Sequence, residues 1–250
     1  MLIPLLIFLF GLVGAWIVNY LSDVLPYHRK IVSPDCRICQ AKLGWSYYLR
    51  LAPCPACGTK PTRRHWIIVI VLPILAVLLY YYPAPSLGKA GGVLWLIYFA
   101  LIVVIDLEHR LILHPVSLAG AGLGLLFGVR AHGLLDTLIG GAAGFIIMLV
   151  FYYLGELFIR FLSKRRGEEI QEVALGFGDV NLSGVMGLLL GWPGVIAGMV
   201  LTILLGGLIS GLFMLGQVLQ RKYHAFQALP YGPFIVLSTL TLLIFAGKIN

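Results

Sequence analysis

GVIAGMVLTILLGGLISGLFMLGQVL, residues 194–219, contains no Asp, Glu, Lys or Arg. A helix needs roughly 20 apolar residues to cross a bilayer core of about 30 Å, so this stretch alone reads as a membrane span. Its neighbours repeat the pattern. Spans are predicted at 2–21, 66–82, 91–105, 116–129, 134–161, 180–192, 194–219 and 231–246, the fourth and sixth being the shortest. Composition agrees: 60% of the 250 residues are hydrophobic and 11% charged, with a mean hydropathy of +0.97, well outside the range of soluble domains. The expected fold class is all-α, a polytopic transmembrane helix bundle of about eight spans with one small polar insertion.

Charge placement tests the count, because Lys and Arg collect in short cytoplasmic loops. Arg29, Lys30, Arg37, Lys42, Arg50, Lys60, Arg63 and Arg64 fall in the first loop and Arg110 in the third. Arg160, Lys164, Arg165 and Arg166 fall in the fifth, and Arg221 and Lys222 in the seventh. Of 18 basic residues only Lys89, Arg130 and Lys248 lie on the other side. Odd-numbered loops are therefore expected in the cytoplasm and both termini outside it. The weak fourth span is needed for this agreement, since without it the cluster at 164–166 would face away from the first loop.

The net charge of +8 then follows from topology and anionic headgroups, and without interleaved aromatic and basic residues no nucleic-acid partner is expected. The first apolar run lacks a basic start and a small-residue cleavage site, so it is expected to be a retained helix. Gly120, Gly124 and Gly128 recur every four residues, as do Gly140 and Gly144, and Gly207 and Gly211. Such spacing lets helix backbones approach closely, so these glycines read as packing positions.

The insertion, residues 26–65, holds all four cysteines as Cys36-Arg-Ile-Cys39 and Cys54-Pro-Ala-Cys57. Each Cys-x-x-Cys turn brings two thiolates to one ion, and four thiolates close a tetrahedral structural zinc shell. Disulfide pairs and a redox dithiol are the alternatives, the first disfavoured by a cytoplasmic position. A hairpin this short has little core, so bound Zn2+ is expected to supply much of its folding free energy. The domain order is then a first transmembrane helix at 1–25, a four-cysteine cytoplasmic loop domain at 26–65 and a transmembrane core at 66–250.

Two carboxylates stand at predicted membrane borders: Asp106 in Ile105-Asp-Leu-Glu-His-Arg110, and Asp179 in Gly176-Phe-Gly-Asp179. A charge beside hydrocarbon is costly and is retained for a reason other than packing. Two close carboxylates do not both ionise, so the pair would share one proton, the arrangement that hydrolyses peptide bonds. Glu108 is a rival to Asp106, but two residues turn a helix by about 200°, so one of them at most faces a given partner. Glu156 reads as a snorkelling or hydrogen-bonded side chain, and Glu168, Glu169 and Glu172 as a solvated loop. His109 and His114 stay outside the metal site, whose four thiolates already complete the shell.

The order of these elements resembles the bacterial type IV prepilin peptidases, or leader peptidases. The resemblance rests on Gly14-Ala-Trp-Ile-Val-Asn19 ending in Leu25-Pro26, the cysteine loop, the Ile-Asp motif within 100–118, the Gly-x-Gly-Asp motif within 175–192, and Leu229-Pro-Tyr-Gly-Pro233. It implies a membrane aspartyl endopeptidase of the inner membrane, with Asp106 and Asp179 as the catalytic pair. Such an enzyme removes the basic leader of prepilins or pseudopilins at the cytoplasmic face. Gly176 and Gly178 would let an extended substrate lie against Asp179, and Glu108, Glu168, Glu169 and Glu172 would meet the basic leader.

Many members also methylate the new N-terminus with S-adenosylmethionine. There this chain departs from the pattern: Arg64-His-Trp-Ile-Ile-Val69 replaces an Arg-Tyr-Pro-Leu-Val-Glu stretch and lacks its acidic residue. No arginine precedes Leu25-Pro26, Leu111-Ile-Leu-His-Pro115 replaces Leu-Pro-Asp, and Asn181 replaces a lysine. Cleavage is expected, and methylation is left open. Two other classes fit part of the pattern: an ion or solute transporter with a regulatory zinc loop, and a non-catalytic pilus or secretion assembly component. Two aspartates at one membrane face argue against the transporter, whose charges belong near the midplane of broken helices.

Overall fold

The structure is a computed structural model that describes residues 2–166, 175–220 and 230–245. Its described residues are helical apart from turns and one isolated bridge, Asp35 with Lys42. Eight helices stand at the eight predicted spans: α1 (Leu2–His28), α3 (Arg63–Tyr81), α4 (Gly88–His109), α5 (His114–His132), α6 (Leu134–Arg166), α7 (Phe177–Leu190), α8 (Gly194–Leu219) and α9 (Gly232–Phe245). A ninth, α2 (Trp45–Leu49), lies in the polar insertion. By length and composition α1, α3, α4, α6 and α8 are apolar enough to cross a membrane. At 14 residues each, α7 and α9 rise only about 21 Å, short of a full bilayer core. Glu168, Glu169, Glu172, Arg221, Lys222, Leu229 and Lys248 lie outside the described residues.

The chain divides into two compact units, Met1–His109 and Arg110–Asn250. In the first, α1, α3 and α4 pack on one another in all three pairs. A Cβ at Gly11 would come within 2.8 Å of the Pro73 Cα, so glycine sets the separation of α1 and α3. The polar insertion rests on the end of α1, where Tyr48, fully buried, meets Tyr20 and Val24, and Tyr47 covers Cys36, Leu43 and Cys54.

Beneath these rings lies a polar network. Asp23 Oδ1 accepts from Arg64 at 2.5 Å and from Arg37 at 2.9 Å. Its Oδ2 faces His65 Nε2 at 2.9 Å and accepts from the Tyr48 hydroxyl at 3.2 Å. Arg64 also bonds the Ser22 hydroxyl and forms an ion pair with Glu108 at 3.1 Å. Asn19, one helical turn before Asp23, donates to the His65 carbonyl at 3.2 Å. This ties α1, α2, α3 and α4 together around the nearly buried side chains of Asp23, Arg64 and His65.

In the second unit α7 is central, touching α5, α6, α8 and α9. It packs most closely on α6, where a Cβ at Gly140 would lie 2.5 Å from the Gly187 carbonyl oxygen and 2.7 Å from the Gly191 carbonyl carbon. The predicted glycine packing therefore holds for Gly140, Gly144, Gly124 and Gly128, each with α7 atoms against it. It does not hold for Gly207 and Gly211, where an added Cβ would meet nothing within 4 Å. Hydroxyls join α8 to α9, with Thr202 and Ser238 oxygens 2.5 Å apart.

Gly140→Ala should force two backbones apart and destabilise the protein by about 1–3 kcal/mol. Gly207→Ala should be neutral or stabilising by up to about 1 kcal/mol through helix propensity. Thermal unfolding in detergent checks both, and equal shifts would refute the packing assignment. In the first unit, Asp23→Ala should cost about 3 kcal/mol, the low end for a broken buried pair, because Glu108 still faces Arg64. Protease resistance of the cysteine loop should fall with it.

Candidate active site

Cys36 and Cys54 start equivalent turns. Gln40 N–H bonds the Cys36 carbonyl and Gly58 N–H the Cys54 carbonyl, at 2.8 and 2.9 Å. The residue after each second cysteine adopts the left-handed conformation, with φ of 57° at Gln40 and 71° at Gly58. Glycine serves this at the second turn, while at the first the chain accepts a side chain in a region that L residues enter at some cost.

The two turns bring all four sulfurs within 4.8 Å of one another, with no disulfide among them. Cys36 lies 3.6 Å from Cys57, and Cys39 lies 3.7 Å from Cys54. Tetrahedral Zn–S bonds of about 2.3 Å place sulfurs about 3.8 Å apart, so the spacing fits a four-thiolate ion site. The donors are ready to ionise: the Thr59 hydroxyl and then its backbone N–H bring Cys57 down to about 6. Backbone N–H groups of Cys39 and Ile38 lower Cys36. Against the N–H of Ala41, which acts the other way, the Cys57 sulfur and burial push Cys39 up to about 12. Crowded sulfurs that cannot all ionise alone call for a cation.

Asp106 lies in the last turn of α4 and is 4% exposed. Glu108 turns to the polar network instead, paired with Arg64 and, at 3.9 Å, with Arg37. Its carboxylate is thus already met by this chain's own cations, a relation that sequence separation hides. His109 packs edge-on against Tyr27 and, among the described residues, belongs to no ligand cluster.

Asp179 belongs to the second unit and occupies the first turn of α7, 8% exposed. Its Oδ2 accepts the Gly176 N–H at 3.1 Å while its own N–H bonds the Gly176 carbonyl at 3.0 Å. The carboxylate thereby caps the helix it stands on, and the helix N-terminus favours its charge. α7 consequently begins at Phe177, three residues before the predicted span. Gly178 has a packing reason of its own, since a Cβ there would come within 2.7 Å of the Ile112 Cβ. Gly176 is open, its nearest neighbour being Asp179 itself at 3.4 Å from an added Cβ.

Other polar residues sort simply. Glu156 pairs with Arg160 at 2.6 Å, as its position near the end of a span foretold. Two participants went unrecognised in the sequence. Asp23 is the hub of the network in the first unit, hinted at only by Asn19 four residues earlier. Tyr231, quoted only within a motif, comes within electrostatic range of Asp179.

Comparison with known proteins bears on the same residues. Residues 90–211, which include Asp106 and Asp179, match the model of the type IV leader peptidase family. The chain is 24% identical over 199 residues to the prepilin leader peptidase/N-methyltransferase of Aeromonas salmonicida strain A449, covering 79% of this chain and 63% of that relative. The Aeromonas hydrophila protein of the same name is 24% identical over 239 residues, 91% of this chain and 77% of the relative. For the Klebsiella pneumoniae one the identity is 30% over 138 residues, 54% of this chain and 56% of the relative. This chain thus spans less than two thirds of the length of the first of these. No solved structure matches it. With its match at 90–211 and these relatives, the chain is similar to the type IV leader peptidase family, and its several apolar helices mark a multi-pass membrane protein.

Proposed function

We propose that the protein is a membrane aspartyl endopeptidase that removes the basic leader from type IV prepilins or pseudopilins at the cytoplasmic face of the inner membrane. The observation that carries this reading is Asp179. A buried carboxylate held by the first turn of a short helix lies inside the family-matching region that also contains Asp106. In this reading 1–25 is the first membrane helix, 26–65 the cytoplasmic loop domain and 66–250 the peptidase core.

The chemistry requires the Asp106 and Asp179 carboxyls to meet and share one proton. The charged carboxylate takes a proton from water as the water oxygen attacks the scissile carbonyl carbon. The protonated carboxyl gives its proton to the carbonyl oxygen. The tetrahedral diol then collapses: one hydroxyl returns its proton to the second carboxylate as the carbonyl re-forms and the C–N bond breaks, and the proton held by the first carboxylate passes to the leaving amine. Helix ends set different fields at the two groups, amides near Asp179 and carbonyls near Asp106. Gly176 offers an open approach for the substrate backbone. Glu108, Glu168, Glu169 and Glu172 are the acidic candidates for the leader, with Glu108 having to exchange Arg64 for a leader lysine.

Zinc bound by Cys36, Cys39, Cys54 and Cys57 would contribute folding free energy and no step of the cleavage. The relatives' names include N-methyltransferase, and S-adenosylmethionine would supply the methyl group. The polar cavity of the loop, about 200 Å3 and lined by Asp23, Tyr47, Thr62 and His65, is smaller than the usual 300–1,000 Å3 of cofactor sites.

Cleavage of a prepilin peptide in detergent should be lost in both Asp106→Ala and Asp179→Ala, by at least about 10²–10⁴-fold for a lost acid or base. Either variant cutting at the wild-type rate refutes the dyad. Mass spectrometry of a co-expressed prepilin shows leader removal, with any added methyl in the same spectrum. A transporter or an assembly component would give no product. Chelation should open the cysteine loop to protease before helicity falls. Helicity lost first would contradict a structural metal confined to the loop.

A further inference from the structure

The second unit carries a groove of about 330 Å3 between α5, α6 and α7. Helices α5 and α7 run parallel and in direct contact, Gly124 lying by Val185 and Gly128 by Leu188, with α6 packed antiparallel on α7. Small residues form much of the lining, Ala121, Ala142 and Gly184 among them, and no Asp, Glu, Lys or Arg is present. The polar lining is confined to one end, at the starts of α5 and α7: His114, Ser117 and Asn181. Ser117 is 5% exposed, and its hydroxyl has no hydrogen-bond partner among the described residues. A buried hydroxyl left unpaired costs about 1–3 kcal/mol, so its retention against the groove points to an occupant with an acceptor.

Chemistry narrows that occupant. A transmembrane helix satisfies its own backbone and offers an acceptor to Ser117 only through a polar side chain of its own. An extended peptide in hydrocarbon needs partners for its backbone along its whole length, and the groove supplies them at one end alone. An acyl chain needs none along its length and one at its ester. Exposed Leu118 and Leu138 at the rim leave the groove open to such a chain from the side.

We propose that this groove seats one acyl chain of a bilayer phospholipid, its ester carbonyl accepting from Ser117 and its headgroup beside His114 and Asn181. The site is distinct from Asp179: Asn181, Gly184 and Leu188 lie on the side of α7 opposite that residue, since two residues turn a helix about 200°. Lipid in this groove would brace α7 against α5 and α6 from the bilayer side.

The full chain is reconstituted in phosphatidylcholine vesicles containing phosphatidylcholine with a diazirine on its acyl chain, irradiated, digested and mapped. Labelling should concentrate on 114–125, 138–145 and 181–188, at least five-fold above the exposed face of α8 around Leu204, Leu208 and Leu212. Ala142→Phe, which fills the groove from an exposed position, should remove that excess while α8 labelling stays unchanged. Ser117→Ala should weaken labelling several-fold yet raise the unfolding temperature of the delipidated protein, because an unpaired hydroxyl is gone. Uniform labelling of all apolar faces, or an excess that survives both substitutions, would overturn the proposal and leave ordinary surrounding lipid. If Ala142→Phe loses the α8 pattern, Ser117→Ala decides alone.

Discussion

A carboxylate next to hydrocarbon must obtain its hydrogen bonds from the protein, since lipid offers none. The first turn of α7 meets this constraint for Asp179 by giving it the Gly176 N–H in return for capping the helix. That exchange fixes where α7 starts. Close backbone approach at Gly140 and Gly187 then fixes where α7 stands against α6. A 14-residue helix too short to cross a bilayer is thereby held firmly enough to present a buried acid.

The first unit solves a similar problem with charge. Arg64 and Asp23, both about seven-eighths buried, are mutually compensated and further bonded by His65, Tyr48 and Ser22. Removing two ions from water at this depth costs several kcal/mol each unless every lone pair and proton finds a partner, which accounts for the density of the network. Its last member, Glu108, sits two residues beyond Asp106, so the same ion pairs hold the end of the helix that carries that aspartate. The cysteine turns stand on this platform through Tyr47 and Tyr48.

Much of this was readable from the sequence because the signals are local. Apolar runs announce helices wherever bilayer thickness sets their length, and all eight spans have a helix in the structure. Two Cys-x-x-Cys turns announce their own geometry, and the four sulfurs do converge. What escaped depends on distant pairing: Asp23 meets Arg64 and His65 across 41 and 42 residues. The packing of Ile112 against Gly178 is likewise a distant relation. Gly207 and Gly211 share the spacing of the packing glycines yet touch nothing described, because spacing records that a helix can approach and not that one does.

The central claim is that Asp106 and Asp179 act on one peptide bond. Cysteines placed at both positions in the metal-loaded chain, treated with a short bifunctional thiol reagent in the membrane and digested for mass spectrometry, report on it directly. The account predicts a peptide pair linked through 106 and 179. Single modification of each position, with no link between them at any reagent length compatible with shared protonation, would contradict it.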